Sequence, residues 1–283
     1  MPVRMFAVTA AVVALTCGPA FADCEGMKMF DVSGGSFDVD SALMSAWSPG
    51  GETVSLVLPM QIIDHPRGLV VFDTGISDDF ADGGCEAFWG AALCQPLSLN
   101  WSRDDVIDRK LEKLGYAIDQ VRYVIYSHFH WDHAGNIESF PKATHVVQKV
   151  ELQHAWWPEK LFRGVFAMKD FDETRDFDFM ELTGDFDLFG DGCVRLISTP
   201  GHTPGHQSLL VNLPQTGPVI LAGDAAFSRA DLEGNPPGYT QNLAQTMRSI
   251  ERMKQIRDAE GAEIWVGHDM EQYKGRKHDS AYE

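Results

Sequence analysis

Basic residues are scarce in this sequence: 23 lysines and arginines stand against 41 aspartates and glutamates, which gives a formal net charge of −18. Residues 170–191 carry nine acidic side chains and one basic side chain, Arg175. Proteins bind nucleic acid largely by neutralising its phosphates with lysine and arginine. This composition argues against a nuclease, and we expect no nucleic-acid partner.

Long hydrophobic runs are missing as well. The apolar run over residues 6–14 is shorter than the roughly 20 residues that a membrane-spanning helix needs, which disfavours an anchor. It follows Arg4 and precedes Ala-Phe-Ala at residues 20–22, which matches the pattern of a signal cleavage site. We predict a cleaved signal peptide over residues 1–22, an exported protein (periplasmic or secreted) without a membrane span, and a single domain over residues 23–283.

Cysteine is rare, with five residues in the chain. An exported protein can oxidise the four that follow the predicted signal, and four cysteines allow three disulfide pairings. These four are Cys24, Cys85, Cys94 and Cys193. The short spacing favours a local bridge between Cys85 and Cys94, and four free buried thiols are the alternative.

Apolar runs bounded by glycine and proline predict strands and helices in mixed order. The predicted strands are Thr53–Ile63, Leu69–Phe72, Val121–Tyr126, Val194–Ile197, Ser208–Asn212, Val219–Ala222 and Ile264–Val266. The predicted helices are Arg103–Leu114, which stops at Gly115, the later part of Val146–Trp157, and Asn242–Arg257. Hairpins that alternate with helices favour an α/β (α+β) fold in which helices cover the sheets.

Histidine and aspartate crowd the segment that follows the predicted strand Val121–Tyr126. Its sequence is His-Phe-His-Trp-Asp-His over residues 128–133. Imidazole and carboxylate are typical ligands of Zn²⁺ and similar divalent ions. A single zinc with an open position uses only three protein ligands. Four candidates within six residues therefore indicate two metals and a hydrolytic site.

Three more candidate ligands follow predicted strands farther along the chain: His202, Asp224 and His268. Each one alone is typical of a turn or a helix cap. Together with residues 128–133 they indicate metal ligation. We expect His206 to be a structural hydrogen-bonding residue and Asp269 to form a turn.

At this point the chain resembles the metallo-β-lactamase superfamily, whose pattern is His-x-His-x-Asp-His followed by a distant His, Asp and His. The resemblance implies a single-domain αββα sandwich with two divalent metal ions, of which Zn²⁺ is the expected one. It places His128, His130 and His202 on one metal, Asp132, His133 and His268 on the other, and Asp224 as a bridge between both.

The end of the chain is similar to one subgroup, the quorum-quenching N-acyl-homoserine lactonases. Gly267–Gln272 matches their Gly-His-Asp-x-Glu-Gln segment, and Asp224–Arg229 and Ile63–Gly68 match two further segments. The sequence departs from the subgroup at Phe227, where a tyrosine often contacts the substrate carbonyl. This change removes a hydrogen-bond donor from the expected substrate site.

The resemblance implies hydrolysis of an N-acyl-homoserine lactone, a small-molecule substrate, by a metal-bridging hydroxide. Asp132 is then the expected catalytic proton carrier. Asp73, at the end of a predicted strand, is expected either to orient a ligand histidine or to cap its turn. The oligomeric state is not indicated.

Two alternatives to this activity stay open. The first is another hydrolase on the same scaffold: a general lactonase, an organophosphate triesterase or a thioesterase. The second is a secreted metal-dependent binding protein without turnover, which the full ligand set disfavours.

Seven aromatic residues are candidates for an acyl-chain pocket, although core packing or hairpin cover is the favoured explanation for most of them. They are Phe88, Trp89, Trp101, Trp156, Trp157, Phe162 and Phe166.

Overall fold

A computed structural model describes residues 24–94, 98–278 and 280–283. The predicted signal peptide over residues 1–22 lies outside the described residues, and the boundary of the single domain stays a prediction. None of the described helices combines the length and the apolar character needed to cross a membrane.

Seven strands form the larger of two β-sheets. They are β1 (Lys28–Asp40), β2 (Thr53–His65), β3 (Gly68–Phe72), β4 (Ser98–Asn100), β5 (Val121–Ile125), β6 (Thr144–Gln148) and β7 (Asp178–Leu182). Their order across the sheet is β4-β1-β2-β3-β5-β6-β7. The β1–β2–β3 side is antiparallel, whereas β3, β5, β6 and β7 run parallel.

Five strands form the second sheet. They are β8 (Phe186–Asp187), β9 (Val194–Ser198), β10 (Gln207–Leu213), β11 (Gly217–Leu221) and β12 (Glu263–Trp265). Their order is β12-β11-β10-β9-β8, and all neighbours are antiparallel except the parallel pair of β11 and β12.

Strand alternation explains how the two sheets pack. Successive side chains of a strand point to opposite faces of the sheet. In β3, Val70 and Phe72 enter the core between the sheets, whereas Val71 faces outward. In β10, Leu209 enters the same core and Leu210 faces outward. Both faces of each sheet are therefore apolar, and each outer face needs a cover.

Helices provide that cover. The described helices are α1 (Ser41–Met44), α2 (Asp79–Phe88), α3 (Ala91–Cys94), α4 (Ile107–Lys113), α5 (Lys149–Trp156), α6 (Arg229–Leu232), α7 (Leu243–Glu260) and α8 (Met270–Lys274). Helices α4 and α5 pack on the outer face of the seven-stranded sheet. Ile250 and Met253 of α7 pack on the outer face of the five-stranded sheet. The αββα sandwich is confirmed.

Several elements were not predicted from the sequence, among them β4, β7 and β8. Three further differences have a clear reason. β1 was not predicted, because its paired glycines and polar residues hide the alternation, and its pairing with β2 shifts between Ser33 and Ser36. β6 overlaps the start of Val146–Trp157, for which no element was predicted, and α5 lies in the later part, as predicted. The predicted helix over residues 103–114 is interrupted, because Val106 is extended (φ −69°, ψ 145°) and α4 begins only after it.

Two disulfides settle the cysteine prediction. The Cys85–Cys94 bridge is confirmed, and a second bridge joins Cys24 to Cys193. The alternative of four free thiols is wrong. The second pairing was not predicted, because it depends on how the first described residues pack against the strand β9.

Candidate metal centre

The predicted ligands occupy loops that follow strands of both sheets. Residues 128–133 follow β5, Asp224 follows β11, His268 follows β12, and His202 lies between β9 and β10. The structure brings all seven residues together, and none is more than 8% exposed. Loops at strand ends are well suited to this role because the rigid sheet fixes their position.

One group of ligand atoms surrounds the Oδ2 atom of Asp224. His202 Nε2 lies 3.2 Å from this oxygen and His128 Nε2 lies 3.7 Å from it. His130 Nδ1 lies 3.1 Å from His202 Nε2. The ligand atoms of these four residues lie within 4.8 Å of one another, a span that one cation can fill.

A second group faces the other oxygen of the same carboxylate. His268 Nε2 lies 3.1 Å and His133 Nε2 lies 3.2 Å from Asp224 Oδ1. Asp132 Oδ2 lies 3.6 Å from His133 Nε2. Asp224 therefore presents one oxygen to each group, the arrangement that a bridging ligand requires.

The donor set fits two divalent cations. His128 Nε2 is buried and has no hydrogen-bond partner among the described residues, although buried polar atoms are normally paired. His128, His130 and His202 would hold one ion, and Asp132, His133 and His268 the other. Asp224 would contact both. Neutral imidazole and ionised carboxylate are the forms that bind metal.

The pKa shifts favour the metal-binding form of His128, His130 and Asp224, whereas His133 and His268 favour a proton that a bound cation would displace. Burial and the neighbouring imidazoles hold the pKa of His128 and His130 well below the usual value. Burial favours the neutral form of Asp224, but the surrounding histidines outweigh it and hold the pKa of that carboxyl well below its usual value. Burial also opposes charge on His133 and His268, yet nearby carboxylates, Asp224 foremost, raise the pKa of both imidazoles.

Asp73 orients one of the ligand histidines. Its Oδ2 accepts a hydrogen bond from His133 Nδ1 at 2.8 Å, which turns His133 Nε2 toward Asp224. The Asp73 backbone is left-handed (φ 59°), and its Oδ1 also accepts from the Ser127 N–H at 2.6 Å. Asp73 thus does both things that the sequence left open: it holds a histidine and it shapes the turn.

His206 and Asp269 have structural roles, as expected. His206 Nε2 accepts a hydrogen bond from the Asp224 N–H at 2.9 Å, and its Nδ1 lies 2.9 Å from the Thr199 hydroxyl. Burial lowers the pKa of His206 to about 3, so it stays neutral. Asp269 accepts from the Gln272 N–H at the start of α8 and pairs with Arg229.

An apolar cavity of about 220 Å³ opens over the ligand groups. Phe227 lines it, with ring centroids 5.4 Å from His202 and 5.5 Å from His268. A second cavity of about 560 Å³ lies beside it and shares the lining residues Val165 and Tyr239.

Three of the seven aromatic candidates lie beside the predicted substrate site. Trp89, Phe162 and Phe166 line the second cavity. Trp101 packs on Phe80, Trp156 packs on Phe171, and Trp157 is 89% exposed. The side chain of Phe88 lies outside the described residues. None of the described candidates lines the cavity over the ligand groups.

Sequence reasoning missed Glu151, a fully buried carboxylate in the first turn of α5. Its two oxygens accept hydrogen bonds from the Phe129 and Gly205 N–H groups, both at 3.0 Å. Phe129 lies between two ligand histidines, and Gly205 belongs to the His202 loop. A Cβ on Gly205 would lie 2.4 Å from the Glu151 backbone nitrogen, so this contact requires glycine. Glu151 therefore joins the two ligand loops.

The buried charge of Glu151 predicts a pH dependence of stability. Burial raises the pKa of Glu151 from 4.5 to about 7. The folded state therefore binds this proton more tightly than the unfolded state, and stability falls as pH rises from about 4.5 to 7. At about 1.4 kcal/mol per pKa unit, the loss is about 3 kcal/mol. Glu151→Gln should abolish this pH-dependent loss. The free energy of unfolding of the variant should therefore rise by about 3 kcal/mol relative to that of wild type between pH 4.5 and 8.

Urea unfolding of the metal-saturated proteins at several pH values measures this difference. Glu181→Gln, at a half-exposed position on β7, is the matched control and should show no such gain. A Glu151→Gln difference that stays constant across this pH range would contradict the prediction.

The comparisons with known proteins agree with this geometry. A family model described as the metallo-beta-lactamase superfamily matches residues 60–260. An N-acyl homoserine lactonase, AttM, of Azorhizobium caulinodans is 33% identical over 236 residues, covering 82% of this chain and 89% of the relative.

Two of the solved structures that resemble this fold cover 90% of the chain. One is an N-acyl homoserine lactone hydrolase with the product N-hexanoyl-L-homoserine bound at its catalytic metal centre (TM-score 0.80, 26% identity, 90% of this chain and 98% of that chain). The other is an AiiA variant of Bacillus thuringiensis with N-decanoyl-L-homoserine at its active site (TM-score 0.79, 26% identity, with the same coverage of both chains). The chain belongs to the metallo-beta-lactamase superfamily.

Proposed function

We propose that the protein is an N-acyl-homoserine lactonase, which opens the lactone ring of its substrate with the help of two metal ions. The observation that carries this proposal is the pair of buried ligand groups that share Asp224 beneath an apolar cavity. The relative named as a lactonase and the solved hydrolase with a ring-opened product support the same activity.

Two Zn²⁺ ions are the proposed cofactors, because the two ligand groups together offer five histidines and two aspartates, and zinc binds such a mixture of nitrogen and carboxylate ligands. When bound, such a pair supplies a water molecule that is acidic enough to act as a nucleophile near neutral pH. Elemental analysis of the protein as purified tests the identity and the number of the ions.

The chain's own residues supply the remaining functions. Asp132 lines the cavity, where its carboxylate can take a proton from the attacking water and return it to the ring oxygen as the ester bond breaks. The apolar walls exclude bulk water and suit an acyl chain. The adjoining second cavity, reached past Val165, offers room for the end of a longer chain.

The proposal is tested by titrating the acid released from a substrate panel. The panel contains homoserine lactones of several chain lengths, simple lactones, thioesters and a paraoxon-type triester. We expect the homoserine lactones to have the highest kcat/KM. Activity on the triester alone would overturn the assignment, and tight binding of lactones without ring opening would favour a binding protein.

We also propose that the protein is exported after cleavage of residues 1–22. The two disulfides support this, because such bonds persist in oxidising compartments such as the bacterial periplasm. N-terminal sequencing of protein recovered from a periplasmic or culture fraction should begin at Asp23. Recovery of the uncleaved chain from the cytoplasm would contradict export.

A further inference from the structure

The cavity over the metal ligands offers very few polar groups to a substrate. Its walls are mostly apolar, and its floor consists of the predicted metal ligands. Among the described residues that line it, Tyr239 carries the only hydroxyl group. A substrate with an ester carbonyl therefore meets one neutral hydroxyl donor in this cavity.

Tyr239 is held in position by contacts that do not involve its hydroxyl group. Its backbone N–H donates to the Leu43 carbonyl at 3.0 Å, and its backbone carbonyl accepts from His202 Nδ1 at 3.2 Å. Its ring centroid lies 5.9 Å from that of His202 and 6.1 Å from that of His130. The ring therefore stays in place beside the first ligand group, even if the hydroxyl oxygen is removed.

The hydroxyl itself is available to a ligand. Tyr239 is half-buried, and its hydroxyl has no hydrogen-bond partner among the described residues. Phe227 also packs against the His202 ring, but it has no polar atom to offer. A tyrosine hydroxyl keeps its proton below about pH 10 and can therefore donate at neutral pH.

We propose that the Tyr239 hydroxyl donates a hydrogen bond to the carbonyl oxygen of the lactone ring, a contribution that rests on the proposed lactonase function. Negative charge grows on this oxygen when the carbonyl carbon is attacked. A fixed donor in an apolar cavity stabilises such charge more than water does. The hydroxyl keeps its proton throughout, so no other group has to restore it.

The test is the kinetics of Tyr239→Phe, a variant that lacks only one oxygen atom. We expect kcat for N-hexanoyl-homoserine lactone to fall about 10- to 100-fold, with less change in KM and unchanged metal content. For a γ-lactone without an amide, kcat of the variant should fall by the same factor, because this substrate retains the ring carbonyl. Tyr123→Phe, which removes a hydroxyl on β5 beside Phe189, is the matched control and should behave as wild type.

Two results would overturn the role of Tyr239. One is an unchanged kcat, and the other is a loss confined to substrates that contain the amide. If the wild-type protein opens no lactone, the proposed lactonase function is overturned, but the role of Tyr239 is still open to test. Calorimetry with N-hexanoyl-homoserine then still tests the residue, because the product carboxylate contains the same oxygen. Equal affinity of wild type and Tyr239→Phe would overturn the contact, whereas at least fivefold weaker binding by the variant would support it.

Discussion

Replacing Asp224 by asparagine should reduce lactone hydrolysis at least about 10³-fold, because the metal pair and its activated water are the main source of rate in such a site. The two carboxylate oxygens of Asp224 face different ligand groups, at 3.2 Å from His202 Nε2 and 3.1 Å from His268 Nε2. An amide offers only one acceptor oxygen, and its NH₂ group repels a cation. We therefore expect the bound metal to fall from two ions per chain to one or none.

Asp269→Asn is the matched control for this experiment. Asp269 is also an aspartate next to the centre, but its oxygens are used by the start of α8 and by Arg229. The control should keep both metals and nearly all activity. Retention of two metals by Asp224→Asn would show that Asp224 is not the bridge.

The metal ligands could be predicted from sequence because their signal is local. Residues 128–133 hold four ligand-type side chains in one turn, and the other three candidates each follow a strand that a short apolar run predicts. For Asp73, the sequence suggested two roles, orienting a ligand histidine and capping a turn, but it could not decide between them. Its hydrogen bond to His133 depends on β3 and β5 being parallel neighbours, which the sequence does not state.

Glu151 and Tyr239 carry no such local signal. Glu151 lies in the first turn of α5, where an acidic residue is common for electrostatic reasons and is usually exposed. Tyr239 lies in a loop with no periodic pattern. Both residues acquire a role only when distant loops meet, so their functions follow from tertiary packing. The same reasoning explains the missed strand β1, which is defined mainly by its long pairing with β2.

Removing the Cys24–Cys193 disulfide should have the largest effect on stability. The bridge joins residues 169 positions apart, from the first described residue to Cys193, directly before the strand β9. In the chain-entropy account a disulfide stabilises by restricting the unfolded chain, by about 5 kcal/mol for a loop of this length. Folded domains are stable by only about 5–15 kcal/mol. The double variant Cys24→Ala and Cys193→Ala should therefore lose a large share of its free energy of unfolding.

The second disulfide provides the matched control, because it allows the same chemical change over a short loop. Cys85 and Cys94 are only 9 positions apart, for which the same account gives about 2.7 kcal/mol. Urea unfolding of both double variants, loaded with metal, measures the two losses side by side. Equal losses would show that loop length does not determine the stabilisation. A larger loss at Cys24–Cys193 would instead make stable folding depend on oxidation, so that protein kept in a reducing cytoplasm should unfold at lower urea concentration than exported protein.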